Sequence, residues 1–178
     1  MTDLHSIEEQ LAALPIYQYA FLRSSDLIFE PKVRQICMQE CQMYGRTWSC
    51  PPGVGTLDQC RERCLKFDQL LLLSTVAEVG DIMNMTETLS TREEHEQLTR
   101  QVRDLFTAAG CRTFVLSSEA CQLCSSCTYP DEPCRHPQQM QPCIESHCIL
   151  VTALAEQCRI EFLSSPTVVT WFSLIFFD

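Results

Sequence analysis

The sequence predicts an α/β fold: a mixed sheet flanked by helices in one compact domain, interrupted by two irregular cysteine-rich loops. Three observations carry this reading. Short apolar runs (LLLL at 70–73, FVL at 114–116, WFSLIFF at 171–177) alternate with amphipathic stretches of helical period, and buried strands interleaved with helices make a layered α/β domain. The 178 residues are 46% hydrophobic and 20% charged, a globular balance at a length that fits a single domain over 1–178. Two segments, 37–52 and 121–137, break the pattern with clustered cysteine and proline.

The elements follow in chain order. Ile7, Leu11 and Leu14 share one face of a short helix over 6–14, which Pro15 ends. Residues 16–22 and 26–29 are rich in aromatic and β-branched types and read as strands. Pro31 opens a helix over 31–42, and the segment CQMYGRTWSCPPGVG after it can only be a structured loop. Thr56 caps a helix over 57–67 whose apolar face holds Leu57, Cys60, Cys64 and Phe67. DQLLLLSTV is a strand buried on both sides.

Residues 91–109 form the clearest helix. Ser90 with Glu93, or Thr91 with Glu94, makes a capping box, and Gly110 supplies the stop. A strand over 112–118 precedes the second cysteine segment. A helix over 143–158 follows, and strands 159–163 and 167–177, joined by the turn SSPT, are expected as an antiparallel hairpin at a sheet edge.

Composition excludes several functions. Thirteen Lys and Arg against 23 Asp and Glu give a net charge of −10, which opposes nucleic acid or an anionic membrane as partner. No basic and apolar leader opens the chain, and no apolar stretch is long enough to span a bilayer. The expected location is the cytoplasm, where thiols stay reduced. An odd set of 13 cysteines suits a closed disulfide framework poorly. Abundant thiols in a reducing compartment point to metal.

The thiols fall into two groups. The first is Cys37-x3-Cys41-x8-Cys50-Pro51-Pro52, with Cys37 and Cys41 one helical turn apart. The second is Cys121-x2-Cys124-x2-Cys127-x6-Cys134. Repeated C-x2-C steps point three sulfurs of one loop at a common centre, the pattern of a [4Fe–4S] cluster. The rival is structural zinc, which prefers two C-x2-C knuckles separated by a spacer. Free thiols are the bland reading, and four reactive cysteines within fourteen residues weigh against it. Cys60, Cys64, Cys111, Cys148 and Cys158 lie on apolar faces, where cysteine packs as a small hydrophobe. Cys143 is expected to have no role. His95 reads as a solvated helix residue and His136 as a neighbour of the metal ligands. Arg46, Trp48, Tyr129 and Arg135 flank the thiols as loop packing or as donors to a net-negative thiolate centre.

No nucleophile elbow, phosphate loop or dinucleotide fingerprint is present. The motifs C-x3-C-x2-Y-G-x2-W-x-C-P-P and C-x2-C-x2-C-T-Y-P-x2-P-C-R-H-P together resemble a prokaryotic family of predicted metal-binding proteins, a domain of unknown function, from about residue 17 onward. The resemblance implies Cys37, Cys41, Cys50, Cys121, Cys124, Cys127 and Cys134 as ligands. The family pattern has serine where Cys143 stands and a small residue where Cys148 stands, so it assigns neither a role. The expected function is metal binding: a [4Fe–4S] centre for electron transfer, or redox support of a protein partner. A zinc-stabilised regulatory module and an enzyme using an open iron are the alternatives, and catalysis is left open.

Overall fold

The computed structural model describes residues 4–163 and 165–178. Its centre is a four-stranded sheet built from β1 (Gln18–Arg23), β2 (Gln69–Glu78), β3 (Thr113–Ser117) and β4 (Val168–Phe177). The spatial order is β1-β2-β4-β3, and each of the three ladders is antiparallel. The α/β class stands, but the mixed sheet contracts to one isolated parallel bridge, Ser117 to Cys143.

Helices cover both faces, so alternate residues of one strand enter two different cores. On one face Leu71 and Leu73 of β2, Val115 of β3 and Ile175 and Phe177 of β4 pack against Ile7 and Leu11 of α1 (Leu4–Leu11) and against Leu98, Val102 and Phe106 of α5 (Arg92–Ala108). On the other, Leu70, Leu72, Leu116, Leu174 and Phe176 meet Cys64 of α3 (Leu57–Leu65) and Leu154 and Ala155 of α6 (Val151–Gln157). The remaining helices are α2 (Pro31–Glu40) and α4 (Met85–Ser90). This explains the unbroken apolar runs: neither face of β2 or β4 reaches water along LLLL or LIFF.

Several boundaries differ from expectation for local reasons. β4 lies between β2 and β3 rather than at an edge, in keeping with its two-sided burial. Residues 159–163 form no strand; Arg159 turns the chain at φ 56° after α6. Ser164 of the expected turn lies outside the described residues. Segment 26–29 holds the end of a 3₁₀ turn, Ser24–Asp26, and a single bridge from Phe29 to Ile149. The expected helix over 143–158 is broken: a 3₁₀ turn at Glu145–His147 ends in left-handed Cys148 (φ 60°), and α6 begins only at Val151. The break lets the Cys148 carbonyl accept from Glu30 N at 2.7 Å and lets Ile149 pair with Phe29.

The capping box on α3 forms as predicted, Thr56 accepting from Gln59 N and the Gln59 side chain from Thr56 N. The box on α5 does not. α4, capped by Asn84, runs directly into α5, so Thr91 is itself helical. The Thr91 hydroxyl donates back to Thr88 O at 2.8 Å and accepts from Trp171 Nε1 at 2.9 Å. Among the described residues no helix is long and apolar enough to cross a membrane.

Candidate metal centre

The second cysteine segment leaves the end of β3 and returns to it. Ser117 N donates to Pro142 O, Ile144 N donates to Ser117 O, and Ser117 bridges Cys143, so the loop is clamped at its exit by the strand it left. At its entrance, Arg92 at the start of α5 is 2% exposed and donates to Ala120 O at 2.6 Å, its other nitrogen paired with Glu96 at 2.7 Å. Within the loop Arg135 donates to Ser126 O and Thr128 to Pro133 O. These bonds replace regular structure in a segment where proline and spacing forbid it.

The first cysteine segment packs onto the second. Ser49, fully buried, accepts from Cys121 N through its hydroxyl at 2.9 Å and from Cys143 N through its carbonyl at 3.3 Å. Trp48 donates to Glu132 O at 3.0 Å and meets Tyr129 edge-on, with ring centroids 4.9 Å apart. α2 carries Cys37, with Cys41 as its C-cap. It is held by Arg34, which donates to Gly55 O at 2.9 Å and to Ser146 O at 2.7 Å. The two cysteine segments therefore pack together beyond the C-terminal end of β3, through Trp48 and Ser49.

Cys121, Cys124, Cys127 and Cys134 line one cavity of about 230 Å³, shared with Ser49, Arg46, Arg135 and His136. That is several times the roughly 30 Å³ a single water occupies in the liquid. All four thiols are partly buried, and burial pushes the Cys121 thiol up. The two guanidinium groups beside them, Arg46 and Arg135, offset the charge that four thiolates would bring.

The first group is more spread out. Cys50 is 4% exposed, Cys37 half-buried and Cys41 exposed. Burial raises Cys37 to about 11, with the negative neighbours Cys41, Glu145 and Cys50 adding to it and Arg34 opposing. Cys50 goes the other way, down to about 6: a hydrogen bond from Cys143 favours its thiolate, burial opposes, and the Thr47 and Ser49 hydroxyls assist. Cys143, 7% exposed, is pushed well up by that same bond and by burial. Cys60 and Cys64 are fully buried on α3 as core thiols.

None of the 13 cysteines is in a disulfide. Among the described residues no three His, Cys, Asp or Glu side chains stand in ready metal-binding geometry. The donor set nevertheless fits a thiophilic metal, with soft ligands gathered in one loop around a cavity under positive side chains. Gln141, two residues before Cys143, is 3% exposed with neither amide atom partnered, a buried polar group whose full satisfaction needs something further.

Three residues escaped the sequence reading. Ser49 and Arg92 carry no motif, since their work is backbone contact across 72 and 28 residues. His95 is 2% exposed, not solvated: Thr75 and Ser173 hydroxyls lie 2.8 and 2.7 Å from its two ring nitrogens, and Thr99 and Ser117 extend the network. Its position on the α5 face beside Thr99 was the available signal.

A family model described as predicted metal-binding protein (DUF2284) matches residues 20–177. No curated protein and no solved structure matches the chain.

Proposed function

The chain belongs to this family of predicted metal-binding proteins, and from that premise we propose that it holds a [4Fe–4S] centre through Cys121, Cys124, Cys127 and Cys134. Cys37, Cys41 and Cys50 form a second thiolate group beside it. The observation that carries the reading is the lining of one cavity by all four thiols of the second group. The triple C-x2-C-x2-C step supports iron, because three sulfurs of one tight turn suit three corners of a cubane. When bound, such a centre supplies a one-electron reservoir. The chain's own residues shape it: Arg46 and Arg135 favour the more negative state, and the Trp48–Tyr129 pair fixes the loops around it.

The role proposed is electron transfer to, or redox support of, a protein partner. A net charge of −10 disfavours nucleic acid and an anionic membrane as partners, and an odd set of 13 thiols supports a reducing, cytoplasmic setting. Structural zinc is the second reading, favoured by one loop that alone supplies four thiolates. Purification without oxygen, followed by metal analysis and absorption spectroscopy, decides between them. Iron with a broad visible band, substantially lowered in Cys121→Ser, Cys124→Ser, Cys127→Ser and Cys134→Ser but kept in Cys158→Ser, is the expected outcome. A colourless chain carrying zinc would replace iron with the second reading, and equal metal in all five variants would sink both.

A further inference from the structure

A second cavity, of about 700 Å³, lies beside the one that the four loop thiols line. Trp48, Cys134 and Met140 border both, so the two cavities share a wall. The volume falls in the range of small-molecule sites, roughly 300–1,000 Å³. We propose that this cavity binds a small organic carboxylate with a flat apolar body, its carboxylate seated on Arg63. The proposal goes beyond the metal-binding reading and does not depend on which metal is held.

Charge carries the argument. Arg63 of α3 lines the cavity, and nothing cancels its charge. One terminal nitrogen donates to Val54 O at 3.0 Å, and the other lies 3.0 Å from His147 Nε2. The Ser146 hydroxyl gives its only proton to Cys143 O, so it accepts from His147 Nδ1 at 2.9 Å. That leaves Nε2 as an acceptor and the imidazole neutral. Both partners of Arg63 are therefore uncharged, and among the described residues no carboxylate pairs with it. A guanidinium has further N–H donors in a planar fork that matches a carboxylate. The other cation on the wall, Arg103, is already engaged by Asp104, at 2.7 and 2.9 Å. One uncancelled positive charge suits a monoanion, and the net charge of −10 disfavours a dianion such as phosphate.

The backbone adds a second donor. β3 is an edge strand, and Thr113, Phe114 and Val115 all line the cavity. Arg112 and Asp178 exchange both backbone bonds, at 3.1 and 3.3 Å. Bonded pairs alternate along an antiparallel ladder, so Thr113, Val115 and Ser117 turn their N–H and C=O away from β4. Ser117 shows the direction: its N–H donates to Pro142 O and its C=O accepts from Ile144 N, in the cysteine loop. Two residues earlier the loop has not yet arrived, and among the described residues no loop group takes the Val115 amide. The cavity runs along this uncovered stretch of edge. Its apolar walls are fixed in advance. Trp48 is held by Glu132 O and Tyr129, and Phe114 by Phe67 and Phe176.

The test uses the full chain as purified, with naphthoate as probe and calorimetry as readout. Naphthoate should bind. Naphthylmethanol, the same body without the charge, should bind about tenfold more weakly or worse, the worth of one charge-assisted hydrogen bond. Inorganic phosphate at equal concentration should not displace naphthoate. Arg63→Met should bring the acid down to the alcohol, and Arg63→Lys should restore part of the difference. An acid that binds no tighter than the alcohol would overturn the proposal. So would phosphate that competes as well as naphthoate itself, or the absence of binding by naphthoate and benzoate alike at millimolar concentration. Should Arg63→Met not fold, hydrogen exchange on the wild-type chain locates the ligand: naphthoate must slow exchange in 113–115, and unchanged exchange there would refute the site. Metal content is measured separately on the same sample, so failure here is distinct from failure of the metal-binding reading.

Discussion

His95 should make the fold acid-sensitive by a calculable amount. The residue lies between α5 and the sheet, with hydroxyls of Thr75 and Ser173 on its two ring nitrogens. Burial, together with the charge of Arg92 one turn away, lowers it from 6.5 to about 4, against a hydrogen bond to the Phe172 backbone. The folded chain therefore refuses a proton that the unfolded chain accepts below pH 6.5. Above 6.5 the group has no effect. Stability then falls as the pH drops from 6.5 towards 4 and levels off below 4, where both states are protonated. At pH 5 the free-energy loss is about 2 kcal/mol, from the two titration curves at 1.36 kcal/mol per unit. His147 is lowered to about 3 by burial and Arg63 and acts in the same direction, so the wild-type fall is larger than one residue's share. His95→Gln isolates that share, because glutamine can still hydrogen-bond to hydroxyls but does not titrate. Urea unfolding of both chains at pH 7 and pH 5 should show a smaller pH loss in the variant, by about 2 kcal/mol. The metal, the carboxylates and His147 are common to both chains and cancel. An identical pH loss in the two would mean that His95 charges freely in the fold and that its burial has been misread.

Two further outcomes are expected. Leu72 is fully buried at the middle of β2, between Ala20 of β1 and Leu174 of β4, and Leu72→Ala should cost about 3 kcal/mol in urea unfolding through the cavity it leaves. Removing metal should lower the melting temperature, since anything bound only by the folded chain stabilises it; at a free-metal level about a hundred times Kd the term is about 2.7 kcal/mol, or roughly 5–10 °C for a chain of this size. An unchanged melting temperature on chelation would make the metal peripheral to the fold.

Local signals in the sequence were read well where they act locally. Thr56 with Gln59, Pro31 at a helix start and Gly110 at φ 87° are decided within a few residues. The apolar runs of β2 and β3 announced two-sided burial. The same signal in WFSLIFF fits the central place of β4, whereas the turn residues SSPT before it carry no information on which strand β4 pairs with. The break at Cys148 was hidden because Ile144, Val151 and Ala155 keep a helical period through a segment whose backbone is diverted to pair with Phe29. At the site, spacing identified the loop thiols that now share a cavity, because C-x2-C is a local geometry. It could not show that Cys143 stands beside Cys50. That neighbourhood depends on Ser117 and on a sheet register set elsewhere.

The register has a consequence for the order in which the molecule comes into being. β4 pairs with β2 along ten residues, from Gln69–Phe177 to Glu78–Val168, and with β3 along five. It follows both cysteine segments in the chain. A ribosome delivers residues at about 5–20 per second, so the thiols of both groups emerge several seconds before the strand that joins the two halves of the sheet. During that interval β2 and β3 have no common neighbour, and the clamp at Ser117 has no sheet behind it. Newly made cysteines therefore wait in an open nascent chain, exposed to whatever metal or oxidant is at hand. Delivery of the right metal is then a matter of timing during synthesis as much as of affinity in the finished protein.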